Sequence, residues 1–593
     1  MANAEEEKSL QELLSLPILL GDRVTQEAES SKVDCSEVAK QVERLCTMLR
    51  STVRLASTTQ SLYERPIRRI VADISKNIER ALTLVRKCKK HSGVLRQVFS
   101  ITTTADFRKV STSLESSIGD MRWLLSIFDS VDGTNLSLPP IASNDPILAW
   151  VWSYTATIQM GELKERADAA NELASVAKDN DRNKLIIMEE GGILPLLKLL
   201  KEATLPDAQI AAANALVNIA TDQERVVRFI VESLGIPLIV KVLGEAPMRV
   251  QVSVANLVSR MAEQDQVAQD EFVRANVTRP LVSLLSMDIV LGEPMRQAGR
   301  TSIHSLVMNL SSTGNPSVNS NSDGSSRGGH QRKEREAESP DLKHKTKISC
   351  SEALWKLSVG SISTSRKITE TKGLLCLAKM IETETEELQF NCLMAVMEIA
   401  AVAEANADLR RVAFKPSAPA AKAVLDQLLR VIQEESGPSL QIPAIKSIGS
   451  LARNFPAKVP RIIGPLVAQL GNKNVDVAIE AAIALGKFVC SDNYNRVDHS
   501  KAIIEFDGIP SLTRLVRAND RAQMHGLVLL CYLALHVGNS KALEQARALN
   551  ILEGAARSVV AQYPDLRELF SRAIHHLTLY QTGVQLHRQP YVP

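Results

Sequence analysis

Aromatic residues make up only 4% of this chain, and glycine is scarce at 27 of 593 residues. Sandwiches and strand-rich enzymes draw on aromatic and β-branched side chains and on glycine turns, so both shortages argue against them. The eight cysteines (Cys35, Cys46, Cys88, Cys350, Cys376, Cys392, Cys490 and Cys531) are scattered, with no C-x-x-C. Most fall on apolar helix faces, where cysteine acts as a small hydrophobe, and they read as reduced thiols of a cytosolic or nuclear chain. A net charge of only +3 gives no global field pointing to nucleic acid. The opening MANAEEEKSL lacks the apolar core of a signal peptide, Ala2 excludes N-myristoylation, and QPYVP is no prenylation box. No uncharged apolar run approaches the roughly 20 residues that span a bilayer. Any membrane contact is therefore expected to be peripheral.

Catalytic signatures are missing too. There is no P-loop, G-x-S-x-G, H-E-x-x-H or kinase set. His575 and His576 are adjacent on a helical segment and point about 100° apart, which is poor for joint metal binding. His304, His525 and His536 are isolated, and no basic motif near Cys490 or Cys531 would make a reactive thiolate. The expectation is a non-enzymatic protein with no cofactor, no metal and no small-molecule substrate.

What is present is a repeat. At 593 residues the chain is too long for one core, and its 45% hydrophobic and 23% charged residues are ordinary for a folded protein. GGILPLLKLL places Pro195; matching segments place Pro237, Pro280 and Pro465, with Cys376, Gln427, Ser511 and Glu553 at the same place in other copies. A partner segment recurs in step, as in AAANALVNIA, VSVANLVSRMA and EAAIALGKFV, and ERADAANELASVA precedes the first marker. A proline in the first turn of a helix sacrifices no hydrogen bond. A short helix, a proline-started helix and a long alanine-rich helix repeating every 42 to 46 residues form the armadillo pattern. About eight repeats plus a partial cap are expected over residues 146–593, an all-α solenoid wound as a right-handed superhelix. The third unit carries extra length: an amphipathic segment, GEPMRQAGRTSIHSLVMNLSS, then a Ser/Gly/Asn-rich stretch at about 311–347 expected to be disordered, with Ser339-Pro340 inside it.

Residues 1–131 lack this rhythm and read as four amphipathic helices, hence a four-helix bundle, with a linker at 132–145. The third helix carries Ile67, Ile70, Val71, Ile74, Ile78, Ala81, Leu82 and Val85 at helical spacing. The second uses Val38, Val42, Leu45, Cys46, Leu49 and Val53, and the fourth Phe107, Val110, Leu114, Met121, Leu124, Leu125 and Phe128. Between Lys40 and Arg96 stand fourteen basic and four acidic residues, a local charge of +10. These are either solvated helix faces or a docking face for anionic phospholipid, where each basic side chain contributes about 1 kcal/mol. Arg65, Arg68, Arg69, Lys76, Arg86, Lys87, Lys89 and Lys90 are the lipid-binding candidates. Nucleic acid is not expected, because Tyr63 and His91 are the only aromatic rings inside the cluster.

Nuclear-import receptors of the armadillo class use an asparagine ladder near the end of each long helix, with tryptophans one turn earlier. Here the asparagine place reads Asn218, Arg260, Lys356, Glu398, Ser450, Lys487, Tyr532 and His576, and the tryptophan place reads Asn214, Asn256, Glu352 and Met394. That ladder is absent, which counts against a receptor for nuclear-localisation peptides. Asn214, Asn218, Asn256, Arg260, Lys356, Glu398 and Lys487 are the candidates for a partner groove.

The chain, and most distinctively SIFDS followed by LAWVWSYTATIQMGELKERADAANELASVAKD, resembles the plant Armadillo Repeat Only family along essentially its whole length. The resemblance implies a scaffold of polarised tip growth, held at the plasma membrane by its basic N-terminal domain. It implies partners too: Rho-type GTPases and their GTPase-activating proteins, confined to one membrane zone. Cytoplasm and peripheral plasma membrane are the expected locations, with the nucleus as a further one. The alternative is a soluble nuclear or cytosolic adaptor in transcription or ubiquitin signalling, although no U-box precedes the repeats.

Overall fold

A computed structural model describes residues 9–28, 33–58, 62–90, 100–128, 138–288, 338–434, 437–455 and 460–587. Among the described residues every regular element is a helix. The chain divides into two compact units, Met1–Ala268 and Gln269–Pro593.

The first unit opens with α1 (Leu10–Ala28), α2 (Val33–Thr58), α3 (Arg65–Lys90) and α4 (Ser100–Phe128). Both α1 and α4 pack against α2 and α3, which leaves α2 and α3 on opposite corners of the bundle. The apolar stripe of α3 is buried throughout, from Ile67 to Val85; Val53, Val110 and Leu125 on the other helices are half-buried. α1 approaches α2 so closely that a Cβ at Gly21 would lie 2.1 Å from Cys46 Sγ, so any side chain there has to displace the Cys46 thiol.

The same core continues past the bundle. Ala142, and Leu148, Ala149, Trp152 and Ala156 around α5 (Pro146–Met160), join it, and the Trp123 and Trp152 rings stand 6.0 Å apart. Residues 138–145, read as part of a linker, touch the bundle through buried Pro139 and Ala142: they hold a 3-10 turn, Pro140–Ala142, whose Ile141 N–H donates to Asp120 Oδ1 at 2.8 Å. Burial pushes the Asp120 carboxyl up to about 6 against that hydrogen bond, with Asp73 adding to the rise.

The repeats follow. α6 (Leu163–Ala177) is the partial cap. Two triplets complete the first unit: α7 (Asp181–Glu189), α8 (Ile193–Glu202) and α9 (Pro206–Ala220), then α10 (Glu224–Glu232), α11 (Gly235–Glu245) and α12 (Met248–Gln264). The long helices stack in the order α6, α9, α12. Beyond α13 (Gln266–Arg274), the second unit holds α14 (Thr278–Leu285), α15 (Pro340–Ser358), α16 (Ile362–Glu370), α17 (Gly373–Thr383), α18 (Glu386–Ala405), α19 (Ala407–Ala413), α20 (Pro419–Gln433) and α21 (Pro438–Ser450). It ends with α22 (Pro460–Gln469), α23 (Val475–Val489), α24 (Arg496–Glu505), α25 (Gly508–Leu515), α26 (Asp520–Val537), α27 (Lys541–Gln545), α28 (Ala548–Gln562) and α29 (Arg567–His587). Here the stack of long helices runs α15, α18, α21, α23, α26, α29. α18 is long and apolar enough to cross a membrane by composition, but half of it is buried and it packs between α15 and α21.

Two devices recur. The turn into six of the middle helices uses a left-handed residue: Gly191 (φ 82°), Leu234 (57°), Asn276 (63°), Lys372 (60°), Asp507 (55°) and Arg547 (53°). The fourth residue of several long helices is a glutamine whose amide caps the middle helix: Gln209 to Leu200 O (2.9 Å), Gln251 to Leu243 O (2.8 Å) and Gln389 to Ile381 O (3.0 Å). Those last-turn carbonyls have no partner within their own helix, and burying them bare would be costly.

Two sequence expectations need correction. Pro195, Pro237 and Pro280 sit third in their helices, in the first turn, but Pro465 lies inside α22, whose start is Pro460. The stretch 311–347 is not disordered to its end. Residues 338–347 are described, and α15 begins at Pro340 with Ser339 Oγ accepting from Leu342 N–H at 3.3 Å. A serine cap and a proline at the first helical position start a helix whatever the polarity around them. Lys347 is buried there because Asp288 (3.1 Å) and Glu384 (3.3 Å) compensate its charge. Residues 311–337 and the whole amphipathic segment before them lie outside the described residues.

Two expectations follow. A carboxyl raised by folding binds its proton more tightly in the folded than in the unfolded chain, so Asp120 lowers stability as pH rises from about 4 to about 6. Thermal melts of Asp120→Asn across that range are expected to show a gain over wild type that opens with rising pH and closes near pH 4. At the left-handed turn, Leu234 is 77% exposed and its strain serves no packing. Leu234→Gly is expected to stabilise by about 1 kcal/mol and Gly191→Ala to destabilise by about as much, read from denaturant midpoints.

Candidate functional site

Three surfaces carry the sequence candidates. The first is α3. Arg65, Arg69, Lys76, Arg80 and Lys87 are spaced four and seven residues apart and form one exposed stripe. The cations of α2 (Lys40, Arg44, Arg50 and Arg54) lie on the opposite corner, so the +10 run does not make a single face. Nor are all the α3 candidates available. Arg68 pairs with Glu64 at 2.6 Å, Arg69 with Glu190 at 2.9 Å, and Arg86 with Glu27 at 2.9 Å. Among the described residues, Lys76, Arg80 and Lys87 have no carboxylate within ion-pair distance; Arg80 donates to Asn77 Oδ1 instead. The side chains of Lys89 and Lys90 lie outside the described residues.

The second surface explains Arg69. Glu190 follows α7, just before the left-handed Gly191, and its side chain is 14% exposed. One oxygen takes Arg69 of α3, and the other accepts from Trp152 Nε1 at 2.8 Å. The Arg69 guanidinium also lies 5.6 Å from the Trp152 ring centroid. Tyr63 donates its phenol to the Glu190 carbonyl at 2.6 Å, and burial raises that phenol's pKa. One residue thus ties the bundle to α5 and the first full repeat. Sequence reading missed it, because none of its partners is near it in the chain.

The third surface is the exposed face of the stacked long helices. Asn214 and Asn256 are each the ninth residue of their helix, and so is Asn171 on α6, which sequence reading did not list. Asn171 and Asn214 are exposed and Asn256 is half-buried. The three form an amide row across α6, α9 and α12, one turn before the position searched for a ladder. The later position does other work: Asn218 donates to Ala174 O of the preceding long helix at 3.3 Å, and Arg260 pairs with Glu263 at 2.6 Å. His576 makes the same backward contact to Ala534 O at 2.9 Å.

In the second unit this face carries charge instead of amides. Lys356 Nζ stands 4.2 Å from the Trp355 ring centroid, and Trp355 meets Phe390 edge-on at 5.7 Å. Glu398 is half-buried; burial raises its carboxyl, and Lys446 and Lys356 pull it back. Lys487 reaches Glu404 at 2.6 Å. Lys356 and Glu398 therefore share one charged cluster, and Lys487 is held in a separate pair.

Removing the Glu190 carboxylate leaves the buried Trp152 N–H without its acceptor and Arg69 without its charge partner. Glu190→Ala is expected to lower stability by about 2 kcal/mol. Glu190→Gln, which can still accept from Trp152, is expected to lose less, and Trp fluorescence during unfolding reports both.

Comparison with known proteins adds the following. Residues 11–129 match the model of a Domain of unknown function (DUF7792), which coincides closely with α1–α4. Among curated proteins, none matches the chain. Among solved structures, an engineered protein matches with a TM-score of 0.47 at 20% identity, over 72% of this chain and 99% of its own. A designed armadillo repeat protein in complex with the peptide (KR)4 matches with a TM-score of 0.37 at 17% identity, over 50% of this chain and 98% of its own. A computationally designed armadillo repeat protein for modular peptide recognition matches at 0.36 and 17%, over the same shares. With its own stacking of short, middle and long helices, the chain is an all-α protein in which a four-helix bundle leads into an armadillo-type solenoid.

Proposed function

We propose that this protein is a membrane-recruited scaffold without catalytic activity. The exposed stripe of α3 binds anionic phospholipid of the plasma membrane, and the long-helix face holds protein segments. By the resemblance to the Armadillo Repeat Only family, those partners are Rho-type GTPases and their GTPase-activating proteins, and the process is polarised growth. The observation that carries this reading is that one compact unit holds both surfaces: Lys76, Arg80 and Lys87 without ion-pair partners among the described residues, and the amide row Asn171, Asn214 and Asn256. An asparagine amide offers both donors and an acceptor, which suits the backbone of an extended segment. Joining two recognitions in one body raises the local concentration of the partner at the membrane without new chemistry.

Three cations at about 1 kcal/mol each amount to roughly 3 kcal/mol, about a hundredfold in membrane affinity. A fluorescent fusion in a tip-growing plant cell is therefore expected at the cortex, and Lys76, Arg80 and Lys87 all changed to Gln is expected to become cytosolic. Arg69 must be left intact in this test, since its loss would loosen the bundle from the repeats. Asn171, Asn214 and Asn256 all changed to Ala is expected to keep the cortical signal and the melting temperature but lose partner binding. An equally diffuse or nuclear signal for wild type and the cation variant would instead support the soluble adaptor.

A further inference from the structure

Among the described residues of the bundle, the large apolar side chains are buried or half-buried with two exceptions, Leu16 at 48% and Leu19 at 60% exposure. Both are on α1, where Leu13 and Leu20 are half-buried. A bundle core accounts for neither exposed leucine. Their position is fixed by an ion pair. Glu27 of α1 receives Arg86 of α3 through Nε at 3.0 Å and Nη2 at 2.9 Å. Residues 13, 16, 20 and 27 are spaced three, four and seven apart, so they lie along one flank of the helix. That flank adjoins α3, and Leu19 stands beside it on the outer edge. The opposite flank of α1 faces α2, where Asp22 holds Arg50 at 2.7 Å.

The leucine ridge thus runs alongside the cation stripe of α3. The acids on α1 do not oppose it. Glu12 accepts the Ser9 N–H at 3.1 Å as a helix cap, Asp22 is paired with Arg50, and Glu27 is paired with Arg86. Apolar side chains at the level of cations without carboxylate partners among the described residues match the boundary of an anionic bilayer, where acyl chains lie just below the phosphates.

We propose that the α1–α3 face of the bundle is the membrane-contacting surface, with Leu16 and Leu19 entering the interface while Lys76 and Lys87 hold anionic headgroups. This rests on the lipid-binding reading above and adds to it an apolar component of the attachment. Attachment by cations alone is screened by salt; attachment through buried leucine is not. The two contributions are therefore separable.

The test is flotation of the full-length protein with vesicles of phosphatidylcholine and phosphatidylserine, at low and high salt. Wild type is compared with Leu16→Ser plus Leu19→Ser and with the Lys76, Arg80 and Lys87 to Gln variant. Both leucines are already exposed, so the serine variant is expected to melt as wild type does. It is expected to bind roughly tenfold more weakly at low salt and to be lost at high salt, where wild type is retained. The cation variant is expected to lose the salt-sensitive part. A leucine variant that floats like wild type at both salts overturns this proposal alone. The same holds for a leucine variant that floats unchanged but alters the oligomeric state in gel filtration, which would assign the ridge to a second copy of the chain. A wild type that does not float overturns both this proposal and the lipid half of the proposed function.

Discussion

A triplet of helices about forty residues long cannot bury its own apolar face. Everything in the repeat region answers that constraint. The long helices pack closely because small side chains face their neighbours; Ala211, Ala212, Ala213 and Ala215 are all buried. Close packing brings the ends of the middle helices inside, and their carbonyls then need donors. The recurring glutamine at the fourth long-helix residue supplies one. In four repeats the turn between the first and middle helices is tight enough to use a left-handed residue and, after it, a glycine with isoleucine against its back. At Gly192, Gly235, Gly373 and Gly508, a Cβ would lie 2.6–2.9 Å from the isoleucine five residues earlier.

A stack also has an end. The cap helix of a solenoid presents an apolar face with no repeat before it, and here the bundle supplies the cover. Trp123 from α4 and Trp152 from α5 share the junction, and Glu190 fixes it through Arg69 of α3, Trp152 of α5 and Tyr63 just before α3. The bundle is therefore no independent appendage on a flexible tether. A force or a ligand acting on α3 acts on a helix that is hydrogen-bonded to the first repeat.

The fold was largely legible because periodicity carries it. A stripe such as Ile67 to Val85 can only be one face of a buried helix, and a segment recurring every 42 residues can only be a stacking unit. The isoleucine-to-glycine spacing of five would have marked the repeats more reliably than proline, since Pro465 is interior to its helix while the glycine step recurs in four copies. The site was legible only in part. Asn171 lies 43 residues before Asn214 and could have been found by extending the repeat register into the cap. Glu190 could not: its three partners, Tyr63, Arg69 and Trp152, come together only when two different architectures meet.

Charge is where linear counting misled most. Fourteen basic residues in one segment look like a single surface, but a four-helix bundle puts consecutive helices on different corners, and α2 and α3 are diagonal. Within α3 the side chains divide again by angle around the helix. Those on the flanks, Arg68 and Arg86, reach carboxylates, and Arg69 at the end nearest the repeats is drawn to Glu190. Arginine suits these places because its planar fork holds two acceptors at once. The outward positions in the middle and at the far end of the helix include lysines, whose compact charge stays hydrated and mobile. The arginines that fasten the bundle and the cations without a carboxylate partner among the described residues, Lys76, Arg80 and Lys87, are thus separated on one helix by geometry. A count of basic residues measures their sum, while the proposed lipid contact depends on the second group alone.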